Sequence, residues 1–141
     1  MSNFIAAAKG FQAALKARAA EIEAARQLPD DIALRFAEAG FYRLCVPETH
    51  GGGEVDPLTL SRVIEEIARA DGSAAWCVMI GATTGVCMAY LPPATARELC
   101  RDPHAIFAGV FAPRGKAIDQ GSTYLANGSW QWGSGSPNAH Y

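Results

Sequence analysis

The sequence predicts an α+β fold, with a mostly α-helical amino-terminal domain over residues 1–103 and the first strands of a β-domain over residues 104–141. Two observations carry this reading. Apolar residues recur at helical spacing through the first hundred positions, and after Pro103 the pattern changes to an uninterrupted apolar run, Ala105 to Phe111, followed by a turn signal at Asn127-Gly128.

From Asn3 to Arg26, Phe4, Ala8, Phe11, Leu15, Ile22 and Ala25 lie on one face, with Lys9, Lys16, Glu21 and Glu23 elsewhere, which predicts one long amphipathic helix. Pro29-Asp30-Asp31 opens a second helix, because proline fits the first turn and carboxylates favour the positive end of the helix dipole; Gly40 ends it. Phe41 to Val46 reads as a short extended piece, and Gly51-Gly-Gly53 as a loop. Asp56-Pro57 caps and opens a third helix, and Asp71-Gly-Ser73 separates it from a fourth. That fourth segment, Ala74 to Leu91, contains no charged residue. A membrane span is weighed for it and set aside: Gly81, Thr83, Thr84 and Gly85 dilute its apolar character and no basic cluster flanks it, so a central buried helix is expected. Pro92-Pro93 breaks it before a short helix over residues 94–101.

Asn127-Gly128 favours a type I′ hairpin turn, since both residues tolerate positive φ. Trp130 and Trp132, two apart, would then share one face of the returning strand. Gly133-Ser-Gly-Ser136 behind them is small enough for a planar ligand or another backbone to come close. A tryptophan pair in a hairpin core and a ligand wall both fit these residues.

Twelve basic against fourteen acidic residues give a net charge of −2, which points to neither nucleic acid nor an anionic membrane as partner. Half the residues are hydrophobic and 18% are charged, so much apolar surface must be covered, some of it by another subunit or segment. The four cysteines (Cys45, Cys77, Cys87 and Cys100) show no metal-site or redox-pair spacing, and no metal site is expected. With no secretory leader pattern at Met1, free thiols suit a cytoplasmic protein.

Few residues stand out as chemical groups. The triple glycine lacks the lysine and hydroxyl residue of a phosphate loop, and Glu65-Glu66 point about 100° apart on a helix and cannot face each other. Ser134 has no evident base partner. Among His50, His104 and His140, His140 is the candidate catalytic group, because it follows the small-residue turn.

Several segments, in order, resemble the amino-terminal half of the acyl-CoA dehydrogenase superfamily: Leu28-Pro-Asp-Asp, Phe36-Ala-Glu-Ala-Gly-Phe-Tyr-Arg-Leu-Cys-Val-Pro-Glu48, Gly51-Gly52, Val63-Ile-Glu-Glu-Ile-Ala-Arg-Ala-Asp-Gly-Ser73 and Asn127-Gly-Ser-Trp-Gln-Trp-Gly-Ser134. The resemblance implies a flavoprotein with FAD (or FMN) sheltered by the β-domain, and a carboxy-terminal helical bundle that these residues do not include. The chain would then be truncated before the bundle, a weak flavin binder and inactive alone, from a protein that is homo-oligomeric at full length. Position by position it implies cofactor contacts at Val110, Phe111, Trp132, Gly133 and Ser134, with Trp132 against the ring system and Ser134 giving a hydrogen bond.

Phe111-Ala-Pro-Arg-Gly-Lys116 stands where the fatty-acid enzymes usually carry a Thr-Glu-Pro-Gly-x-Gly-Ser-Asp-like loop. Asp71-Gly-Ser-Ala-Ala-Trp76 and Trp130-Gln-Trp-Gly-Ser-Gly135 look more like the flavin-dependent monooxygenase branch. That branch implies hydroxylation of an aromatic or heterocyclic substrate with oxygen and reduced flavin from a partner reductase. An acyl-CoA dehydrogenase and a non-catalytic remnant are the alternatives.

Overall fold

The computed structural model describes residues 3–141. Among the described residues, six α-helices precede one hairpin: α1 Phe4–Ala17, α2 Ala19–Ala25, α3 Asp30–Glu38, α4 Pro57–Ala68, α5 Gly72–Thr84, α6 Pro93–Leu99, β1 Lys116–Asp119 and β2 Tyr124–Asn127. The expected division into helices first and strands after is what the chain forms.

The single long first helix is corrected to two. The break falls at Arg18, whose φ of −111° leaves the helical region. Nothing in the local sequence marks it, and the Arg18 guanidinium at the break donates to Glu21 and to Asp31 at the start of α3. These bonds, that to Glu21 first, raise the arginine's pKa, and Arg18 holds both carboxylates below their usual range. The caps of α4 and α5 follow the sequence. Asp56 accepts from the Leu58 and Thr59 amides at 2.9 and 3.0 Å, and Asp71 from that of Ala74 at 2.7 Å.

The extended piece expected at Phe41 to Val46 is also corrected. Gly40, at φ +77°, reverses the chain, and Phe41–Arg43 forms a turn of 3-10 helix. A strand would send alternate side chains outward, whereas Phe41, Tyr42, Arg43, Leu44 and Val46 are all buried. Gly52 then passes so close to Val46 that a β-carbon there would lie 1.9 Å from the Val46 carbonyl oxygen.

The main core lies where α1 and α5 both pack on α4, with Leu15, Phe36, Phe41, Tyr42, Val63, Ile67 and Val78 at its centre. A second cluster (Val46, Met88, Ala96, Cys100, Ala105 and Phe107) joins α6 to the chain beyond it. By length and composition the 18 residues Gly72–Ala89, with mean hydropathy 1.4, are enough to cross a membrane. Here Ala74, Ala75, Val78, Gly81 and Ala82 face α4 and the Phe41–Arg43 turn. The α-helical part, 13 residues long, spans only about 20 Å at ~1.5 Å per residue, against a hydrocarbon core of about 30 Å. It serves as the central helix of the domain.

Gly81 is the point of tightest packing on α5. A β-carbon there would meet the Tyr42 ring at 2.5 Å and the Phe107 carbonyl oxygen at 3.3 Å. Gly81→Ala is therefore expected to destabilise the domain by about 1–3 kcal/mol through overpacking, read as a lower midpoint in urea unfolding.

The hairpin differs from expectation in where it turns. β1 and β2 pair antiparallel, Lys116 with Asn127 and Ile118 with Leu125, so the turn is Gln120 to Thr123 and Asn127 is the last paired residue of β2. Asp119 accepts from the Gly121 amide at 2.7 Å, and Gly121 takes φ +88°. Gly128 serves close approach instead, since a β-carbon on it would meet the Trp130 ring at 2.4 Å. Trp130 and Trp132 are accordingly not strand neighbours: Trp130 folds over Gly115 and Gly128 and donates its Nε1 proton to the Ala112 carbonyl at 3.0 Å.

Candidate functional site

One face of α5 organises the candidate residues. Trp76 and Cys77 lie near its start, Gly81 in the middle and Thr84 at its end, a spacing that keeps them on neighbouring turns. Onto this face the fold lays two segments that are distant in sequence, residues 106–111 and the turn 132–135.

The first segment is the apolar run expected as a buried strand. Ala105, Ile106 and Phe107 are buried as expected, but the run joins no sheet and emerges until Phe111 is 77% exposed. It is held in another way. The Ile106 carbonyl accepts from the His140 amide at 2.8 Å, and the Ala108 amide donates to the Tyr141 carbonyl at 2.9 Å. Phe107 and Tyr141 stack with ring centroids 5.7 Å apart. Gly109 allows the backbone to come against α5, since a β-carbon there would lie 3.1 Å from Thr84 Oγ1. That hydroxyl is buried and finds no partner among the described residues. Beyond Ala108, the backbone N–H and C=O groups of Gly109, Val110 and Phe111 likewise pair with no described residue, leaving an open polar edge.

The second segment is a compact turn. Trp132 takes φ +66° and Gly135 φ +77°. The Ser134 amide donates to the Trp132 carbonyl at 2.9 Å and the Ser136 amide to that of Gly133 at 3.1 Å. The turn faces outward at Trp132, whose indole is 90% exposed, which removes the reading of Trp132 as hairpin core. Gly133 sits beside Val110, where a β-carbon would lie 3.8 Å from Cγ2, and Gly135 lies against Cys77. Ser134 Oγ accepts a hydrogen bond from Trp76 Nε1 at 3.0 Å. Asn138, one turn on, donates to the Leu28 carbonyl at 3.0 Å and anchors the segment to the start of α3.

The fold thus brings Val110, Gly133 and Ser134 together, with the exposed rings of Phe111 and Trp132 at the ends of their segments. His140 is placed differently. Its Nδ1 accepts from the Ile106 amide at 3.1 Å, which puts the ring proton on Nε2 and gives the side chain a role in pinning residue 106. Burial first and Asp71 second push the Cys77 thiol pKa up, which disfavours the thiolate. Among the described residues no group of His, Cys, Asp or Glu could hold a metal.

An unpaired stretch of backbone, a hydroxyl whose proton is uncommitted and an exposed indole suit a planar heterocycle with polar edges, the flavin class of ligand. Sequence reasoning named no role for Trp76 or Thr84. The available signal was an unpaired-looking Trp and Thr eight apart in a helix without charge, which reads equally as core.

Comparison with known proteins gives the same picture from another side. Residues 4–98 match the model of the acyl-CoA dehydrogenase N-terminal domain. Indole-3-acetate monooxygenase of Pseudomonas putida is 35% identical over 145 residues, 98% of this chain and 37% of that protein. The HsaA oxygenase subunit of a flavin-dependent monooxygenase from Rhodococcus jostii is 32% identical over 90% of this chain and 34% of its own length. Similarity to a probable acyl-CoA dehydrogenase of Mycobacterium tuberculosis is confined to 56 residues, 40% of this chain. Among solved structures, the HsaA monooxygenase of M. tuberculosis superimposes with a TM-score of 0.90 at 28% identity, over 97% of this chain and 36% of that one. XiaF from a Streptomyces species, in complex with FADH2 and glycerol, gives 0.88 at 27% identity over 96% of this chain and 35% of that one. The chain spans about a third of the length of the curated relatives it matches.

Proposed function

Because this chain belongs to the acyl-CoA dehydrogenase N-terminal domain family, we propose that it is the amino-terminal part of a flavin-dependent monooxygenase that hydroxylates a small aromatic or heterocyclic substrate. The observation that carries this reading is the open backbone edge at 109–111 set beside the Trp132-Gly-Ser134 turn. The monooxygenase relatives align over 85–98% of the chain, whereas the dehydrogenase relatives align over 40%.

Val110 and Phe111 would hold the cofactor, FAD, through their backbone groups, and Ser134 through its hydroxyl proton. Trp132 would cover the ring face, where a large rigid indole contributes contact area at little entropic cost. When bound, reduced flavin supplies the electrons with which oxygen is activated for transfer to the substrate. This chain's own residues bind and orient the ring and exclude water from the α5 side, where Phe107 and Gly109 seal the segment against the helix. A separate reductase that delivers reduced flavin is the partner this chemistry calls for, and a HsaA relative is described as an oxygenase subunit. The site needs no membrane or nucleic acid, and a cytoplasmic location suits the free thiols.

Titration of the full-length protein with FAD and with reduced FAD, followed by flavin fluorescence and absorbance, tests this. Saturable binding is expected, weakened about tenfold by Trp132→Ala, the size of one good aromatic contact. With a flavin reductase and nicotinamide cofactor, oxygen uptake should rise on adding phenols or indoles and stay flat with acyl-CoA thioesters. Flavin binding indifferent to Trp132→Ala, or turnover of a thioester, contradicts the proposal.

A further inference from the structure

We infer that Trp76 is a positioning residue that fixes Ser134 as a hydrogen-bond donor towards the flavin; the inference rests on the flavin reading of the site. Trp76 and Ser134 are 58 residues apart, and their bond, Nε1 to Oγ at 3.0 Å, crosses from α5 to the turn. An indole N–H can only donate. The Ser134 oxygen must therefore accept, and its own proton cannot point back along that line. Among the described residues no acceptor takes that proton.

The remaining constraints narrow its direction. The Ser134 amide is spent on the Trp132 carbonyl and the turn is closed by the Ser136 to Gly133 bond, so the Ser134 Cα–Cβ direction is fixed by backbone. Gly133, on the same turn, lies against Val110. A hydroxyl that accepts from a donor-only ring is also polarised, which strengthens the bond it gives. Trp76 thereby turns a freely rotating hydroxyl into an oriented donor beside the open 109–111 edge. It is half exposed on a helix surface, so replacing it should leave the core intact.

The experiment uses the full-length protein and three variants, Trp76→Phe, Ser134→Ala and the double variant. Trp76→Phe keeps an aromatic ring and removes only the N–H. The first readout needs no flavin: the indole N–H proton resonance of Trp76, assigned by its loss in Trp76→Phe, should shift upfield in Ser134→Ala. The second is FAD affinity. Each single variant should weaken binding about tenfold, a loss on the order of one hydrogen bond, and the double variant should be no weaker than Ser134→Ala alone. The absorption maximum of bound flavin should move alike in all three. An unmoved Trp76 resonance overturns the inference at the hydrogen bond. A shifted resonance with Trp76→Phe binding as tightly as wild type, or with additive losses, overturns the positioning role while leaving the flavin reading intact. A wild-type protein that binds no flavin overturns both, and the resonance alone would then report the bond.

Discussion

Replacing Arg43 by methionine should lower stability by about 3–5 kcal/mol, because a buried cation that satisfies several carbonyl groups is exchanged for a side chain that satisfies none. Arg43 is 6% exposed. Its guanidinium donates to the Cys100 carbonyl at 3.2 Å, to that of Asp102 at 3.0 Å and to that of His50. Among the described residues no carboxylate holds it; three backbone oxygens do, one nearby in sequence at His50 and two distant ones at Cys100 and Asp102. Removing it leaves the Cys100 and His50 oxygens without a partner among the described residues, at about 1–3 kcal/mol for each one that water cannot reach, while the Asp102 carbonyl keeps the Ala105 amide at 3.1 Å. The consequence reaches the site, since Cys100 to Asp102 directly precede the Ala105–Phe111 segment. The expected result is a fall in melting temperature of about 10 °C or more, accompanied by faster amide exchange at Ile106 and Ala108. A variant as stable as the parent would show that the loops are held by their own packing.

Phe36→Ala should cost a similar amount, about 3–5 kcal/mol, by a different route. The Phe36 ring is fully buried and meets Phe11 at 4.9 Å, Phe41 at 5.5 Å and Tyr42 at 6.5 Å between centroids. Three elements therefore converge on one ring: α1 through Phe11, α3 through Phe36 and the 3-10 turn through Phe41 and Tyr42. Deleting it leaves a void that neighbouring rings, held edge to face, fill only partly. Chemical denaturation should show a lower midpoint with an unchanged slope, the mark of lost stability without loss of two-state unfolding. Phe36→Leu should recover part of the difference, because it restores volume but not the aromatic contacts.

These two residues also show what could be read from sequence. Phe36 lies in a helical repeat, so its burial follows from periodicity. Arg43 does not: it sits between Tyr42 and Leu44 in a run that reads as extended, and only the left-handed turn at Gly40 sends the whole run inward. Caps such as Asp56 and Asp71 were legible because they act within three residues. The hairpin turn was misplaced because two local signals compete, and Asp119 with Gly121 prevails over Asn127-Gly128, where the glycine is needed to seat Trp130. The ordered motifs carried the resemblance to a flavoprotein family. The bond between Trp76 and Ser134 spans 58 residues, and no spacing rule anticipates it.

The hairpin leaves its two outer edges open. Among the described residues its two strands pair only with each other and every residue in them is exposed, so each keeps an outer row of unpaired amides and carbonyls. β1 carries Lys116 and Asp119 at its ends, and charges there discourage a neighbouring strand from adding on. β2, Tyr124-Leu-Ala-Asn127, has none. The uncharged β2 edge, with its tyrosine and leucine side chains, is therefore the template on which a further strand, of this protein or of a second copy, would add.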